Sequence, residues 1–207
     1  PVQTASKVSG GFFDEATVAQ LNAVFSRMAS DLVLELHLDE KPLSGELRGY
    51  MEELAKLTDR ITVKHGSGEE NTPCVRVCRA DGSETGLAFH GVPGGHEFTS
   101  FVLGLYNAAG PGQAIDEDTK RQIEAITEAV DIKILVTLSC TMCPDLVVAT
   151  QRIATENPNV TAHVYDIRHF EDLKNQYNIM SVPCMVVNDQ DVVFGKKTMQ
   201  QVLELIK

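Results

Sequence analysis

The chain has 207 residues, 43% hydrophobic and 23% charged, a balance that argues against disorder and a length that suits two domains of about 100 residues each. Eighteen basic against 29 acidic side chains give a net charge of -11, which repels phosphate backbones, leaves no polybasic stripe and excludes nucleic acid as a partner. No apolar run approaches the roughly 20 residues of a membrane helix, and the start, PVQTASKVSGG, has no apolar targeting core, so a cytoplasmic protein with no membrane partner is expected.

Residues 13–29 place Val18, Leu21, Phe25 and Met28 on one helical face, with Asp14 as cap. The alternation in DLVLELHL at 31–38 predicts a strand, and Leu47, Tyr50, Leu54 and Leu57 predict a helix over 46–57. RITVKH at 60–65 reads as a second strand. Thr72-Pro73 opens a third in PCVRVC, a turn at Asp81-Gly82 leads to a fourth in LAFHG, and a helix follows over 97–107.

The second half repeats this order. A helix over 116–130, started by Asp116, carries Ile123, Ile126 and Val130 inward. DIKILVTL at 131–138 then matches DLVLELHL at 31–38, VTAHVYD at 160–166 matches ITVKHGS at 61–67, and SVPCMVV at 181–187 matches NTPCVRV at 71–77. The offset grows by about ten residues, accounted for by the helix-like RHFEDLKNQYN with Phe170, Leu173 and Tyr177. Similarity of this extent marks duplicated units. The predicted fold is α/β: two tandem thioredoxin-like folds, each a mixed sheet flanked by helices, over 1–110 and 111–207. The boundary falls in Ala109-Gly110-Pro111-Gly112.

Of the five cysteines, Cys140 and Cys143 form a C-x-x-C motif, and the corresponding stretch of the first fold is Asp39 to Leu43. The first fold therefore lacks the dithiol. The second-half strand ends at Leu138, and CPDLVVATQRIA reads as a helix beginning near Cys143. Free N–H groups and the positive dipole end there favour a thiolate, which makes Cys140 the expected nucleophile. Cys143, in the first turn, is the expected resolving thiol, and Pro144 suits a first-turn position. A C-x-x-C pair is also half of a zinc site, but a closed site needs four ligands and no second C-x-x-C is present. No catalytic metal is expected.

Val182-Pro183 supplies a second signal, because thioredoxin-like folds begin the strand facing the dithiol with a cis-proline. Thr141 and Met142 between the thiols, with Val182 and Pro183 opposite, are the expected substrate contacts. Cys74 and Cys184 follow the two equivalent prolines and read as small apolar core groups. Cys74 and Cys78 on one strand stand about 13 Å apart, too far to pair. Asp166 reads as a cap.

With these features in place, the chain resembles the N-terminal domain of the flavoprotein subunit of bacterial alkyl hydroperoxide reductase. LSCTMCPDLVV at 138–148 is similar to that family's S-C-x-x-C-P-D-V-V stretch, and GVPGGHEFTSFVLGL at 91–105 to its G-x-P-x-G-H-E-F-T-S segment. The resemblance implies a relay of electrons from a flavin-containing, thioredoxin-reductase-like donor to a disulfide acceptor such as a peroxiredoxin. It also implies that Glu97 approaches the dithiol across the cleft between the folds as acid and base; a helix-start acid is the alternative for that residue. No G-x-G-x-x-G occurs, so no bound cofactor is expected, with flavin and NAD(P)H on a separate reductase. Two alternatives remain: a broad protein disulfide oxidoreductase, and a non-catalytic binding module whose C-x-x-C holds a metal.

Overall fold

A computed structural model describes residues 11–207; residues 1–10, most of the stretch read above as lacking a targeting core, lie outside the described residues. The first half runs α1 (Glu15–Phe25), β1 (Leu32–His37), α2 (Pro42–Lys56), β2 (Ile61–His65), β3 (Cys74–Arg79), β4 (Glu84–His90) and α3 (Glu97–Ala109). The second runs α4 (Glu117–Glu124), β5 (Val130–Val136), α5 (Cys143–Glu156), β6 (Val160–Asp166), α6 (Glu171–Gln176), β7 (Cys184–Val187), β8 (Asp191–Phe194) and α7 (Met199–Ile206). Among the described residues no helix is long and apolar enough to cross a membrane.

The helix starts follow from capping chemistry. Asp14 Oδ1 accepts from the Thr17 N–H at 2.8 Å and Asp116 Oδ1 from the Thr119 N–H at 2.7 Å, each satisfying a first-turn donor. Asp166 caps the 3-10 turn Ile167–His169 in the same way. The α2 helix begins four residues earlier than its apolar spacing predicts, because Pro42 occupies its first turn.

Two expectations need correction. The helix over 116–130 stops at Glu124, and Val130 belongs to β5. The side-chain amide of Asn157 donates to the Ile123 carbonyl at 2.8 Å and the Ile126 carbonyl at 2.9 Å, capturing the oxygens a longer helix would use. The stretch RHFEDLKNQYN is a 3-10 turn followed by the six-residue α6 rather than one helix, and the first half has no counterpart to it.

The two halves share one pairing pattern. In the first, β1 pairs parallel with β2 and antiparallel with β3, and β3 pairs antiparallel with β4. In the second, β5 takes β6 and β7 in the same senses, and β7 takes β8. The edge strands β4 and β6 then pair in parallel, from Leu87 opposite Ala162 to His90 opposite Tyr165. The result is one eight-stranded mixed sheet, ordered β2-β1-β3-β4-β6-β5-β7-β8, with helices on its faces. This junction closes two edges that separate folds would leave open.

A second contact joins the halves directly behind the C-x-x-C motif. The His96 N–H donates to the Leu138 carbonyl at 2.9 Å. Gly95 reaches this contact at φ +53°, and a Cβ there would lie 2.7 Å from the same oxygen. Both conformation and space demand glycine. Gly95→Ala is expected to lower stability by about 1–3 kcal/mol, read as a shifted urea midpoint. Gly94→Ala is the control: nothing stands within 4 Å of its Cβ position, and a change within about 0.5 kcal/mol is expected. Equal effects of the two would show that the close approach at Gly95 carries no strain.

Candidate active site

Cys140 and Cys143 are joined in a disulfide with Cα atoms 5.6 Å apart. The strand–loop–helix order delivers them: β5 ends at Val136, the Cys140 N–H donates to the Thr137 carbonyl at 3.2 Å, and α5 opens at Cys143 with Pro144 in its first turn. Cys140 is half-buried, whereas Cys143 is fully buried. Partner access is therefore through Cys140. Thr141 is exposed, and Met142 is 52% exposed.

The peptide bond Val182–Pro183 is cis, as is Thr72–Pro73 in the first fold. Pro183 is buried and Val182 half-buried. Val182 borders a cleft of about 410 Å³ whose walls include Thr137, Arg168, Lys174 and Met180. Met180 is 82% exposed, so Met142 and Met180 are adaptable apolar side chains left in solvent.

Glu97 is the first residue of α3 and is fully buried. Its Oε1 accepts from the Ser100 hydroxyl at 2.5 Å, and its Oε2 has no hydrogen-bond partner. Burial pushes this carboxyl up to about 7, against the smaller lowering effect of the Ser100 hydroxyl. A surface acid at a helix start has neither property. The α3 helix is held against α5 by the Gln151 side-chain amide, which donates to the Ser100 carbonyl at 2.9 Å, while the preceding residue His96 bonds Leu138. The first fold thus contacts the segment leading to Cys140 through the residue that precedes Glu97.

At the place in the first fold that corresponds to the dithiol, polar side chains bond to one another. Asp39 Oδ1 accepts from the Ser44 hydroxyl at 2.7 Å and its Oδ2 from the Thr72 hydroxyl at 2.8 Å. These bonds, with the Lys41 N–H, outweigh the raising effect of burial and hold Asp39 below the usual carboxylate range. The three free cysteines are buried. Burial pushes the Cys184 thiol up to about 11 and raises Cys74 and Cys78 as well, so none of the three offers a thiolate near neutral pH.

Cys184 sits among apolar groups, as expected. Cys74 does not: its sulfur lies 3.6 Å from His90 Nε2, and Glu69 is close by. His90 had no motif to mark it. It stands opposite Cys74 in the β3–β4 register, where the second fold has Phe194 opposite Cys184. Aligning the two repeats through this pair is the signal that would have found it.

The thioredoxin domain family matches residues 130–207, the half that holds the disulfide. The whole architecture matches the NTD_N/C domain of alkylhydroperoxide reductase AhpF from Enterococcus faecalis, with a TM-score of 0.90 and 36% identity over 95% of this chain and 100% of that one. The chain belongs to the AhpF family. AhpF of Pseudomonas aeruginosa, a component of its alkyl hydroperoxide reductase, is 33% identical over 187 residues, which are 90% of this chain and 36% of that protein. The AhpF-type chain thus spans little more than a third of the length of such relatives. A protein disulfide oxidoreductase from Aeropyrum pernix shares the fold at a TM-score of 0.81 and 18% identity. A thioredoxin domain that holds the Cys140–Cys143 disulfide makes the chain a thiol-disulfide oxidoreductase.

Proposed function

We propose that this chain relays electrons through Cys140 and Cys143, from a flavin-containing disulfide reductase that oxidises NADH or NADPH to the disulfide of a peroxiredoxin. The observation that carries this reading is the disulfide at the start of α5, with Cys140 accessible and Cys143 buried. In the reduced pair, the Cys140 thiolate attacks the acceptor disulfide, forming a mixed disulfide and releasing one acceptor thiolate. Cys143 then gives its proton to the Glu97 carboxylate and attacks the Cys140 sulfur, which closes the intramolecular disulfide and expels the second acceptor thiolate. Because Cys143 is buried, solvent is a poor proton acceptor for it, and the unpaired Oε2 of Glu97 supplies an internal one. Thr141, Met142, Val182 and Pro183 form the docking rim, and exposed Met180 extends it.

The test couples NADH or NADPH, a thioredoxin-reductase-like flavoenzyme, this chain and an oxidised peroxiredoxin. Nucleotide oxidation beyond one equivalent per chain is expected only when all four are present, at a rate proportional to the concentration of this chain. Oxidation at the same rate without the chain contradicts the relay. Reduction of generic disulfides but not the peroxiredoxin would reassign the acceptor.

A further inference from the structure

We propose that Glu69, Cys74 and His90 bind a divalent transition-metal ion of the zinc class within the redox-silent first fold. One carboxylate oxygen, the Cys74 sulfur and one His90 ring nitrogen all lie within 4.8 Å of one another, close enough to share a single ion. The sulfur, nitrogen and oxygen donors suit zinc or cobalt rather than calcium or magnesium.

Each donor is already oriented. His90 Nδ1 stands 2.6 Å from the Asn71 carbonyl, so it carries the ring proton and leaves Nε2 as the donor atom. The ring is stacked on Tyr165 at 4.0 Å and met edge-on by Phe170 at 6.1 Å, which fixes its plane. The Arg76 guanidinium grips Glu69 Oε2 through Nε at 3.0 Å and a terminal nitrogen at 2.6 Å, leaving Oε1 for the ion. Two neighbours converge on the single Nε2 lone pair, the Cys74 sulfur at 3.6 Å and His163 Nδ1 at 3.1 Å. An ion there would bond Nε2 directly, with His163 or a water in the fourth position.

Charge also favours a dication. Arg76 is salt-bridged to both Glu69 and Glu84, which leaves one net negative charge. Binding releases the Cys74 proton to solvent, so the thiolate adds a second, and the ion neutralises both. A cleft of about 290 Å³ is lined in part by Asn71 and Phe170, the residues that bond the His90 ring and meet it edge-on. The second fold has no such site, since Phe194 stands where His90 does and Cys184 is surrounded by apolar groups.

The experiment uses the full chain with the Cys140–Cys143 disulfide intact, which withholds that pair from the metal. Cobalt(II) is added to the protein, and a second sample is purified from zinc-supplemented medium for metal analysis. One ion per chain is expected, with a near-ultraviolet thiolate-to-cobalt band. Cys74→Ser should lose the band, and Glu69→Gln should weaken binding by at least about tenfold while dithiol turnover is unchanged. No ion in either sample overturns the proposal. A band that survives Cys74→Ser, or vanishes in Cys184→Ser, also overturns it.

Discussion

A Cys140→Ser variant is expected to lose electron transfer by on the order of 10³-fold or more, while Cys143→Ser forms a covalent adduct with its acceptor and stalls. The asymmetry follows from the geometry. Cys140 is the half-buried member, placed before the first turn of α5 where free N–H groups favour a thiolate. A serine hydroxyl there is not ionised near neutral pH and cannot displace a thiolate from a disulfide. Cys143 is fully buried and reaches only the sulfur beside it. Its loss leaves the mixed disulfide with no internal thiol to resolve it. Mass spectrometry of Cys143→Ser mixed with oxidised acceptor should show one acceptor chain attached through Cys140. Attachment through Cys74, Cys78 or Cys184 would contradict the assignment, and so would full turnover by Cys140→Ser.

Glu97→Gln should change both the pH profile of the relay and the pH dependence of stability. With its carboxyl pushed up to about 7, Glu97 in the folded chain is protonated below that pH and ionised above it. Only the ionised form accepts the Cys143 proton, so the resolution rate of the parent should rise through pH 7. The variant should fall behind by about 10²-fold at pH 8 and approach the parent at pH 6. Stability moves in the opposite sense from a salt-bridged carboxylate. Between the unfolded value of 4.5 and the folded value near 7, the folded state holds a proton that the unfolded chain releases, so rising pH favours unfolding. The contribution is fully present below pH 4.5 and fully lost above pH 7. At 1.36 kcal/mol per pH unit this amounts to about 3 kcal/mol. The unfolding free energy of Glu97→Gln relative to the parent should therefore improve by about that amount from pH 4.5 to pH 8. A difference that does not vary with pH would mean that the Glu97 carboxyl is not raised in the folded chain and lacks the proton affinity that the proposed transfer uses.

Much of this was legible because it is local or repeated. The duplicated strands and the two prolines announce two related folds, and the C-x-x-C pair with Pro144 places the dithiol at a helix start. Asp14 and Asp116 mark helix starts for the same local reason. What escaped is non-local. Ile123, Ile126 and Val130 keep a helical spacing past the real end of α4, and the residue that stops the helix, Asn157, lies more than 30 positions away. Neither β4 nor β6 carries a mark of its partner, so the junction that fuses the sheets is a tertiary outcome. Glu97 could be named from the resemblance, but its unpaired oxygen follows from the burial of α3 against α5, which no window of sequence contains. His90 beside Cys74 depends likewise on strand register.

The first fold emerges as more than a remnant. It closes the open edge of the second, bonds the Leu138 carbonyl through His96, and buries a raised carboxyl at the next residue, Glu97. In the proposed relay all electrons nevertheless pass through Cys140 and Cys143. Differential alkylation of all five cysteines, quenched at intervals after adding reductase and NADH and then oxidised peroxiredoxin, tests it most directly. Cys140 and Cys143 should become alkylatable together on reduction and be protected together on addition of the acceptor, while Cys74, Cys78 and Cys184 stay constant. Cycling of any of those three, with Cys140 and Cys143 unchanged, would contradict the relay.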